Sequence, residues 1–374
     1  GGAGVNSDVI IIGGGLMGSS TALQLALRGL RAVILEKQSP GRHASGVNAG
    51  GLRQLNRHPA EIPLSVAAAR MWRDIVSLVD ADCDARFPGQ LRVAENEGDL
   101  ELLQQRAALV RSLGYEHEEL IGRDELYAMV PALAPHCVGA LLCREDGYAR
   151  PFHALTAFRR KARSLGVDYR ADTVVDAIER ERGSWRVTTR RGAFKAPLLV
   201  NCAGAWAGRI AATLGEAVPL KPGAPMMMVT ERLPHFVGPV IGAARRKLSF
   251  KQMQNGTLLI GGAHLAELDF QREQTDLSWP RLALSARTVM ALFPQLENVR
   301  IVRAWAGIEA FMPDNLPVIG ASSVAEAAWH AFGFSAHGFQ LSPVVGKIIA
   351  ELVVDGATGF PIEPFAISRF QQER

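Results

Sequence analysis

The stretch Val9-Ile10-Ile11-Ile12-Gly13-Gly14-Gly15-Leu16-Met17-Gly18 decides the fold. Its four consecutive β-branched apolar residues predict a strand buried on both faces, as in the centre of a parallel sheet. The glycines then open a predicted helix from Leu16 to Arg28. A second apolar run, Ala32-Val33-Ile34-Leu35, predicts another buried strand that ends at Glu36. Together these segments predict a βαβ unit.

The glycines of this unit follow the spacing Gly13-x-Gly15-x-x-Gly18, which is typical of dinucleotide sites. Gly13 permits the tight turn, Gly15 lets the backbone approach a pyrophosphate, and Gly18 lets the helix pack closely on the strand. The N–H groups at the start of the helix can bind phosphate. The carboxylate of Glu36 is placed to accept hydrogen bonds from ribose hydroxyls, which favours FAD or NAD over NADP. The motif alone does not separate FAD from NAD.

Length and composition narrow the protein class. A chain of 374 residues with 48% hydrophobic and 21% charged residues is expected to form two domains or one large domain. The net charge is only +4 and the basic residues are scattered, which argues against a nucleic-acid partner and is compatible with anionic substrates. Its four cysteines show no paired spacing, so neither a metal site nor a disulfide scaffold is expected, and a cytoplasmic location is predicted. Glycines and polar residues interrupt the uncharged segment Val9 to Leu27, so no transmembrane segment is predicted.

Three further segments rich in small residues lie far apart in the chain. They are Ala44 to Arg53, Leu199 to Trp206 and Gly333 to Gln340, the last of which leads into a predicted helix. Small residues let a backbone lie flat against a ring, and helix N–H groups can stabilise negative charge on a reduced ring. Because a β-rich stretch, Pro219 to Gly262, separates these segments, the sequence predicts an α/β (α+β) fold with discontinuous domains.

These motifs resemble those of the D-amino-acid-oxidase-like FAD-dependent oxidoreductases, which include glycine oxidases, sarcosine oxidases, hydrogen cyanide synthase subunits, and D-hydroxyproline or opine dehydrogenase subunits. The resemblance implies a Rossmann-like FAD-binding domain formed by residues 7–86, 144–218 and 300–374. It also implies a β-rich substrate domain formed by residues 87–143 and 219–299, with the flavin between the two.

The same resemblance implies an activity. A relative of these enzymes would oxidise the C–N bond of a small amino or imino acid by hydride transfer to flavin N5, and the resulting imine would hydrolyse. Oxygen, a quinone or a partner redox subunit could accept the electrons. Two alternatives stay open, namely an NAD-dependent dehydrogenase and a flavin-carrying subunit without substrate turnover.

The residues that the resemblance assigns to FAD come from all three parts of the predicted nucleotide domain. They are Gly13, Gly15, Leu16, Met17, Gly18, Glu36, Lys37, Ala44, Ser45, Asn48, Ala49, Gly50, Gly51, Val174, Val175, Ala203, Gly204, Trp206, Gly307, Gly333, Ser335, His337, Gly338, Phe339 and Gln340. Sarcosine oxidases hold the flavin through a cysteine in the region matching Trp305 to Glu309, where this chain has none, so non-covalent FAD is expected. His43 could be an attachment point, as in dimethylglycine dehydrogenases, or a plain loop histidine.

The substrate residues depart from those of the similar enzymes. Sarcosine oxidases place a lysine at the position of Gln340, and glycine oxidases place an arginine at the position of Glu309. This chain has neither of the two cationic residues that bind the substrate carboxylate in those enzymes. Arg53 is therefore the predicted partner of a substrate carboxylate, because it adjoins the flavin loop and its planar guanidinium matches the geometry of a carboxylate. Lys251 is the alternative.

Three other positions bear on the chemistry. Glu309 is interpreted as a contact for a protonated amine or as a residue that orders a loop, and its repulsion of a carboxylate would suit an opine-like or amine substrate. His337 is interpreted either as a flavin contact that tunes the site or as a turn residue. Leu259 stands where sarcosine oxidases have an oxygen-activating lysine, which favours a dehydrogenase over an oxidase.

Overall fold

The structure is a computed structural model that describes residues 7–38 and 48–371. The predicted βαβ unit lies in a six-stranded sheet. Across this sheet the strand order is Val318–Ala321, Ala328–Phe332, Leu198–Asn201, Val9–Ile12, Ala32–Leu35 and Asp168–Arg170. The strand Val9–Ile12 is central, is parallel to both of its neighbours, and is at most 6% exposed at any residue. The buried apolar run therefore forms the strand that the sequence predicts, and the α/β fold class is confirmed.

The first helix, Leu16–Leu27, packs against the last long helix, Ser342–Asp355. Gly346 makes this close approach possible, because a Cβ atom at this position would lie 2.2 Å from Ser20 Oγ. The Ser20 hydroxyl donates a hydrogen bond of 2.7 Å to the Ser342 carbonyl across the same interface. Two segments more than three hundred residues apart thus share one apolar core on the six-stranded sheet.

The second layer is an eight-stranded mixed sheet. Its strand order is Ile301–Ala306, Met226–Arg232, Thr257–Gly261, Ser249–Gln252, Val240–Ala243, Gln90–Ala94, Gly139–Cys143 and Glu119–Gly122. Phe250 and Phe293 stack at 5.1 Å in a separate core beneath it. The strand Ile301–Ala306 follows the predicted domain boundary at residue 300 but pairs within this sheet. The division into FAD and substrate domains stays a prediction.

The remaining elements surround these two sheets. The other helices are Ile62–Arg73, Ile75–Val79, Glu97–Ser112, Arg123–Met129, Pro151–Ser164, Ala207–Thr213 and Trp279–Leu292. The smaller sheets comprise Val175–Glu181 with Ser184–Thr189 and Gly192–Ala196, Gly51–Leu52 with Gly147–Tyr148, Lys221–Gly223 with Glu309–Phe311, and Glu267–Asp269 with Gln274–Asp276. Short 3₁₀ turns occur at Pro59–Glu61, Gly204–Trp206, Pro294–Leu296, Glu363–Phe365 and Ile367–Phe370. Within residues 7–38 and 48–371, no helix has both the length and the apolar character required to cross a bilayer.

Candidate functional site

A cavity of about 930 Å³ is lined by the carboxyl ends of the parallel strands and by the eight-stranded sheet. This volume lies near the upper end of the roughly 300–1,000 Å³ that ligand pockets occupy. The carboxyl ends of strands in an open parallel sheet are where such folds bind nucleotides. The cavity therefore has the place and size expected of a site for a dinucleotide and a second small molecule.

Most of the predicted FAD residues line this cavity. They are Gly13, Gly15, Leu16, Met17, Glu36, Lys37, Asn48, Ala49, Gly50, Gly51, Val174, Val175, Ala203, Gly204, Trp206, Gly307, Gly333, Ser335, His337, Gly338 and Phe339. Arg53 and Glu309 line it as well. Gly18 and Gln340 are not among the lining residues, and Ala44, Ser45 and His43 lie outside the described residues.

The glycine turn has no room for side chains. Gly13 has a φ of +111°, and a Cβ atom there would lie 2.0 Å from the Cys202 carbonyl oxygen. A Cβ atom at Gly18 would lie 1.9 Å from the Gly13 carbonyl oxygen, so Gly18 serves helix packing rather than the cavity wall. The first helix begins beside this turn, with Gly15 as its N-cap and no acidic side chain in its first turn. Its N-terminal end therefore suits a diphosphate.

The side chains next to this turn fit the adenosine half of a dinucleotide. The Glu36 carboxylate lines the cavity, and its Oε2 accepts a hydrogen bond of 2.5 Å from the Gly14 backbone N–H. Burial raises the pKa of Glu36, although hydrogen bonds from backbone N–H groups oppose this rise. Lys37 pairs with Glu273 and lies 4.5 Å from the centre of the Trp206 ring. An acceptor for ribose hydroxyls is therefore present beside the glycine turn.

The segment Gly333–Phe339 forms the wall at the other end of the cavity, where the ring is predicted to bind. Ser335 and Ala336 have φ values of +51° and +69°, a left-handed conformation that is uncommon for residues other than glycine. The turn is secured by a 2.9 Å hydrogen bond from the Ser335 backbone N–H to the Ala310 carbonyl. A Cβ atom at Gly338 would lie 2.5 Å from Phe334, so this glycine permits a close approach within the loop.

Arg57 is a cavity residue that the sequence analysis missed. It is 3% exposed, and its Nη1 lies 2.6 Å from the carbonyl oxygen of His337 and 3.2 Å from Glu61 Oε2. Its Nη2 is 3.4 Å from Gln340 Oε1, which explains why Gln340 lies behind the cavity wall. Burial, reinforced by the neighbouring Arg53, lowers the pKa of Arg57 to about 10.

Arg53 and Glu61 complete this charged cluster. Arg53 donates a hydrogen bond to the Leu55 carbonyl, and burial lowers its pKa while Asp146 and Glu61 oppose the change. Burial would raise the pKa of Glu61, but His337 and the two arginines outweigh it, and the pKa is lowered. The ring nitrogen Nδ1 of His337 lies 3.1 Å from Arg57 Nη1 and 3.3 Å from Glu61 Oε2. His337 therefore bridges the buried ion pair as well as lining the cavity.

Two other ionisable groups lie close to the site, one buried and one partly buried. Lys251 is 1% exposed and does not line the cavity. Its ammonium donates a 2.5 Å hydrogen bond to the carbonyl of Ala49, and burial lowers its pKa to about 7. The structure thus places Lys251 behind the predicted flavin loop, not where it would meet a substrate carboxylate. Glu309 does line the cavity, and burial raises its pKa to about 7.

The fold and this site define a class, namely two-layer α/β flavoproteins in which a dinucleotide cradle faces a second sheet. A family model described as "FAD dependent oxidoreductase" matches residues 8–352, and the chain belongs to this family. The cofactor is therefore FAD, as predicted, and the NAD alternative is wrong.

Individual proteins resemble the chain over almost its whole length. The hydrogen cyanide synthase subunit HcnC of Pseudomonas aeruginosa is 26% identical, covering 98% of this chain and 97% of its own. A glycine oxidase of Bacillus licheniformis is also 26% identical, with the same coverage. Among solved structures, L-proline dehydrogenase from P. horikoshii superimposes with a TM-score of 0.91 at 26% identity, covering 98% of both chains.

Proposed function

We propose that this protein oxidises the C–N bond of a small amino or imino acid, such as glycine, sarcosine, D-hydroxyproline or an opine-like compound. FAD, when bound, supplies the hydride acceptor at N5. The observation that carries the proposal is that one cavity joins the predicted FAD site to two arginines, the partly buried Arg53 and the buried Arg57. The names of the similar proteins, glycine oxidase and L-proline dehydrogenase, agree with this substrate class.

The two arginines would bind the substrate carboxylate. A guanidinium presents a planar fork of donors that matches a carboxylate, and in a buried site the attraction is weakly screened. The contact from Arg57 Nη2 to Gln340 Oε1 is 3.4 Å, the longest of its hydrogen bonds, so it is the weakest tie to be exchanged for a substrate carboxylate. Arg53 remains the predicted partner from the sequence, and Arg57 joins it as a second one.

The same charges favour the reactive form of the amine. A protonated nitrogen has no lone pair to support loss of a hydride, so the substrate amine must be neutral. Positive charge nearby disfavours an ammonium and lowers the pKa of the amine. Arg53 and Arg57 would therefore hold the carboxylate and also promote release of the ammonium proton before oxidation.

His337 acts in this scheme as a positioning residue. Its carbonyl accepts a hydrogen bond from Arg57, and its Nε2 lies 2.9 Å from the carbonyl oxygen of Asn315. These contacts fix the Gly333–Phe339 wall against the arginine that would bind substrate. In this scheme Arg53 would bind the carboxylate and His337 would support the cavity wall, while the proposed reaction gives Glu309 no role.

A second candidate function is that of the flavin-carrying subunit of a heteromeric dehydrogenase. The similarity to a hydrogen cyanide synthase subunit over nearly the whole chain favours it. In that case a partner redox subunit would take the electrons, whereas oxygen or a quinone would serve a chain that acts alone. Non-covalent FAD and a cytoplasmic location stay predictions.

The decisive experiment is anaerobic mixing of the purified, FAD-loaded protein with glycine, sarcosine, D- and L-proline, and D-hydroxyproline. We expect at least one of them to bleach the oxidised flavin band, and readmitted oxygen or an added quinone then identifies the acceptor. A flavin that dithionite reduces but no amine reduces would contradict the proposal and favour the carrier subunit.

A further inference from the structure

Glu309 is a carboxyl on the cavity wall that the proposed reaction leaves unused. Its Oε2 is buried and has no hydrogen-bond partner. The residue directly opposite on the paired strand is Gly223, which has no side chain to meet it. Within residues 7–38 and 48–371, no lysine, arginine or histidine forms an ion pair with Glu309. A buried carboxylate oxygen without a partner is costly, and a donor on a bound molecule would relieve that cost.

The surroundings of Glu309 differ from those of several other charged residues in and around the cavity. Arg245 and Arg246, which also line the cavity, already contact Asp99 and Glu95 at 3.0 and 2.9 Å. Glu61 is likewise neutralised by Arg57. The raised pKa of Glu309 has burial as its only cause, with no charged neighbour contributing. Among the residues that the structure describes, none satisfies the Glu309 Oε2 acceptor.

Glu309 shares the cavity with the two arginines, because Arg53, Arg57 and Glu309 all line it. The wall segments that carry Glu309 and His337 are joined by the hydrogen bond from the Ser335 backbone N–H to the Ala310 carbonyl, and the His337 carbonyl accepts a hydrogen bond from Arg57. A substrate long enough to span this part of the cavity would contact the arginines and Glu309 at the same time.

The reacting amine is a poor partner for Glu309. An ionised carboxylate would stabilise its ammonium form and raise its pKa, which opposes hydride loss. The arginines have the opposite effect. A cationic group elsewhere on the substrate has no such conflict, because it gains from the carboxylate and does not react.

We propose that Glu309 binds a positively charged group of the substrate that is separate from the oxidised amine. The cavity would then select molecules with three features, namely a carboxylate, an oxidisable amine and a second basic nitrogen. This inference rests on the proposed function and names its substrate class: a basic amino acid, or an opine-like conjugate of one.

A binding experiment without turnover tests the inference. Guanidinobutyrate and butyrate share a carboxylate but differ in the cationic group, and neither has an amine next to the carboxylate. Each is titrated into the FAD-loaded protein, and binding is followed by the change in flavin absorption. A charge-assisted hydrogen bond predicts about 10- to 100-fold tighter binding of guanidinobutyrate. The preference should decrease below about pH 7, because the Glu309 pKa is raised to about 7.

The variant Glu309→Gln keeps the shape and removes the charge. We expect it to bind butyrate as the wild type does and to lose the preference for guanidinobutyrate. Glu326→Gln, which alters a carboxylate that is 87% exposed and paired with Arg180, is the matched control and should keep the preference. FAD content and thermal unfolding verify that both variants are folded.

The outcomes separate this inference from the proposed function. Equal affinities for the two acids in the wild type, or a preference that survives in Glu309→Gln, would overturn the role of Glu309. If neutral amino acids nevertheless reduce the flavin of the wild type and of Glu309→Gln, the proposed C–N oxidation stands, but the proposed role of Glu309 does not. In matched pairs, lysine should reduce the wild-type flavin faster than norleucine, and arginine faster than citrulline.

Discussion

Replacing Lys251 with methionine removes a buried ammonium and keeps a side chain of similar length. In the wild type its pKa is lowered from 10.5 to about 7 by burial, while its Nζ donates to the carbonyl of Ala49. The unfolded chain therefore binds more protons than the folded protein between about pH 7 and pH 10.5. The free energy of unfolding of the wild type should rise with pH through that window.

The size of the effect follows from these two pKa values. Burying the charge costs about 4 kcal/mol at pH 7 and about 2 kcal/mol at pH 9. The variant avoids this cost but loses one hydrogen bond, worth about 1 kcal/mol. We expect Lys251→Met to be more stable than the wild type by about 3 kcal/mol at pH 7 and by about 1 kcal/mol at pH 9.

Urea denaturation of the FAD-loaded proteins at both pH values, with the same excess of FAD, measures this difference. Lys347→Met is the control, because Lys347 is exposed on the last long helix and its replacement removes no buried charge. A difference between wild type and Lys251→Met that is the same at both pH values would refute the reasoning, since it would mean that Lys251 folds with an ordinary pKa.

Three further predictions concern the cavity and the helix interface. Gly13→Ala places a Cβ atom 2.0 Å from the Cys202 carbonyl at a φ of +111°, so the purified variant should contain little or no flavin; a full complement of FAD would contradict the assigned cradle. Arg53→Ala and Arg57→Lys should each raise the KM for the amino acid substrate about 10-fold or more, because each removes a charged hydrogen bond to its carboxylate. An unchanged KM would show that the replaced arginine does not bind the carboxylate. Gly346→Ala places a Cβ atom 2.2 Å from Ser20 Oγ, so it should lower the free energy of unfolding by about 1–3 kcal/mol. Thermal unfolding measures this loss. A melting temperature equal to that of the wild type would show that the first and last long helices can move apart at no cost.

The sequence predicted the nucleotide sheet well because local rules determine it. An uninterrupted β-branched run, a glycine turn and an acidic strand end leave few other folds for residues 9–36. The strand Ile301–Ala306 was not predicted, because it lies at the sheet edge and its residues are exposed or only partly buried. It therefore lacks the apolar pattern by which a buried strand is recognised.

The candidate site was only partly predictable for the same kind of reason. The contacts of Arg57 with His337 and Gln340 join positions 280 and 283 residues apart, and no local pattern reports them. A signal did exist, since Arg57 and Glu61 stand four residues apart, close to the predicted flavin loop. The burial of Lys251 and of Glu309 depends on packing between distant strands, so the sequence could name these residues but not their environment.

The contact between the first helix and the helix Ser342–Asp355 has a consequence for biosynthesis. The strand Val9–Ile12 leaves the ribosome long before its neighbour Leu198–Asn201 and the partner of its helix are translated. During that interval a strongly apolar segment lacks its native cover, and pairing over such sequence separations is slow. We therefore expect nascent chains to depend on chaperones and to acquire FAD late, so that stalled translation products aggregate rather than accumulate as soluble, flavin-loaded fragments.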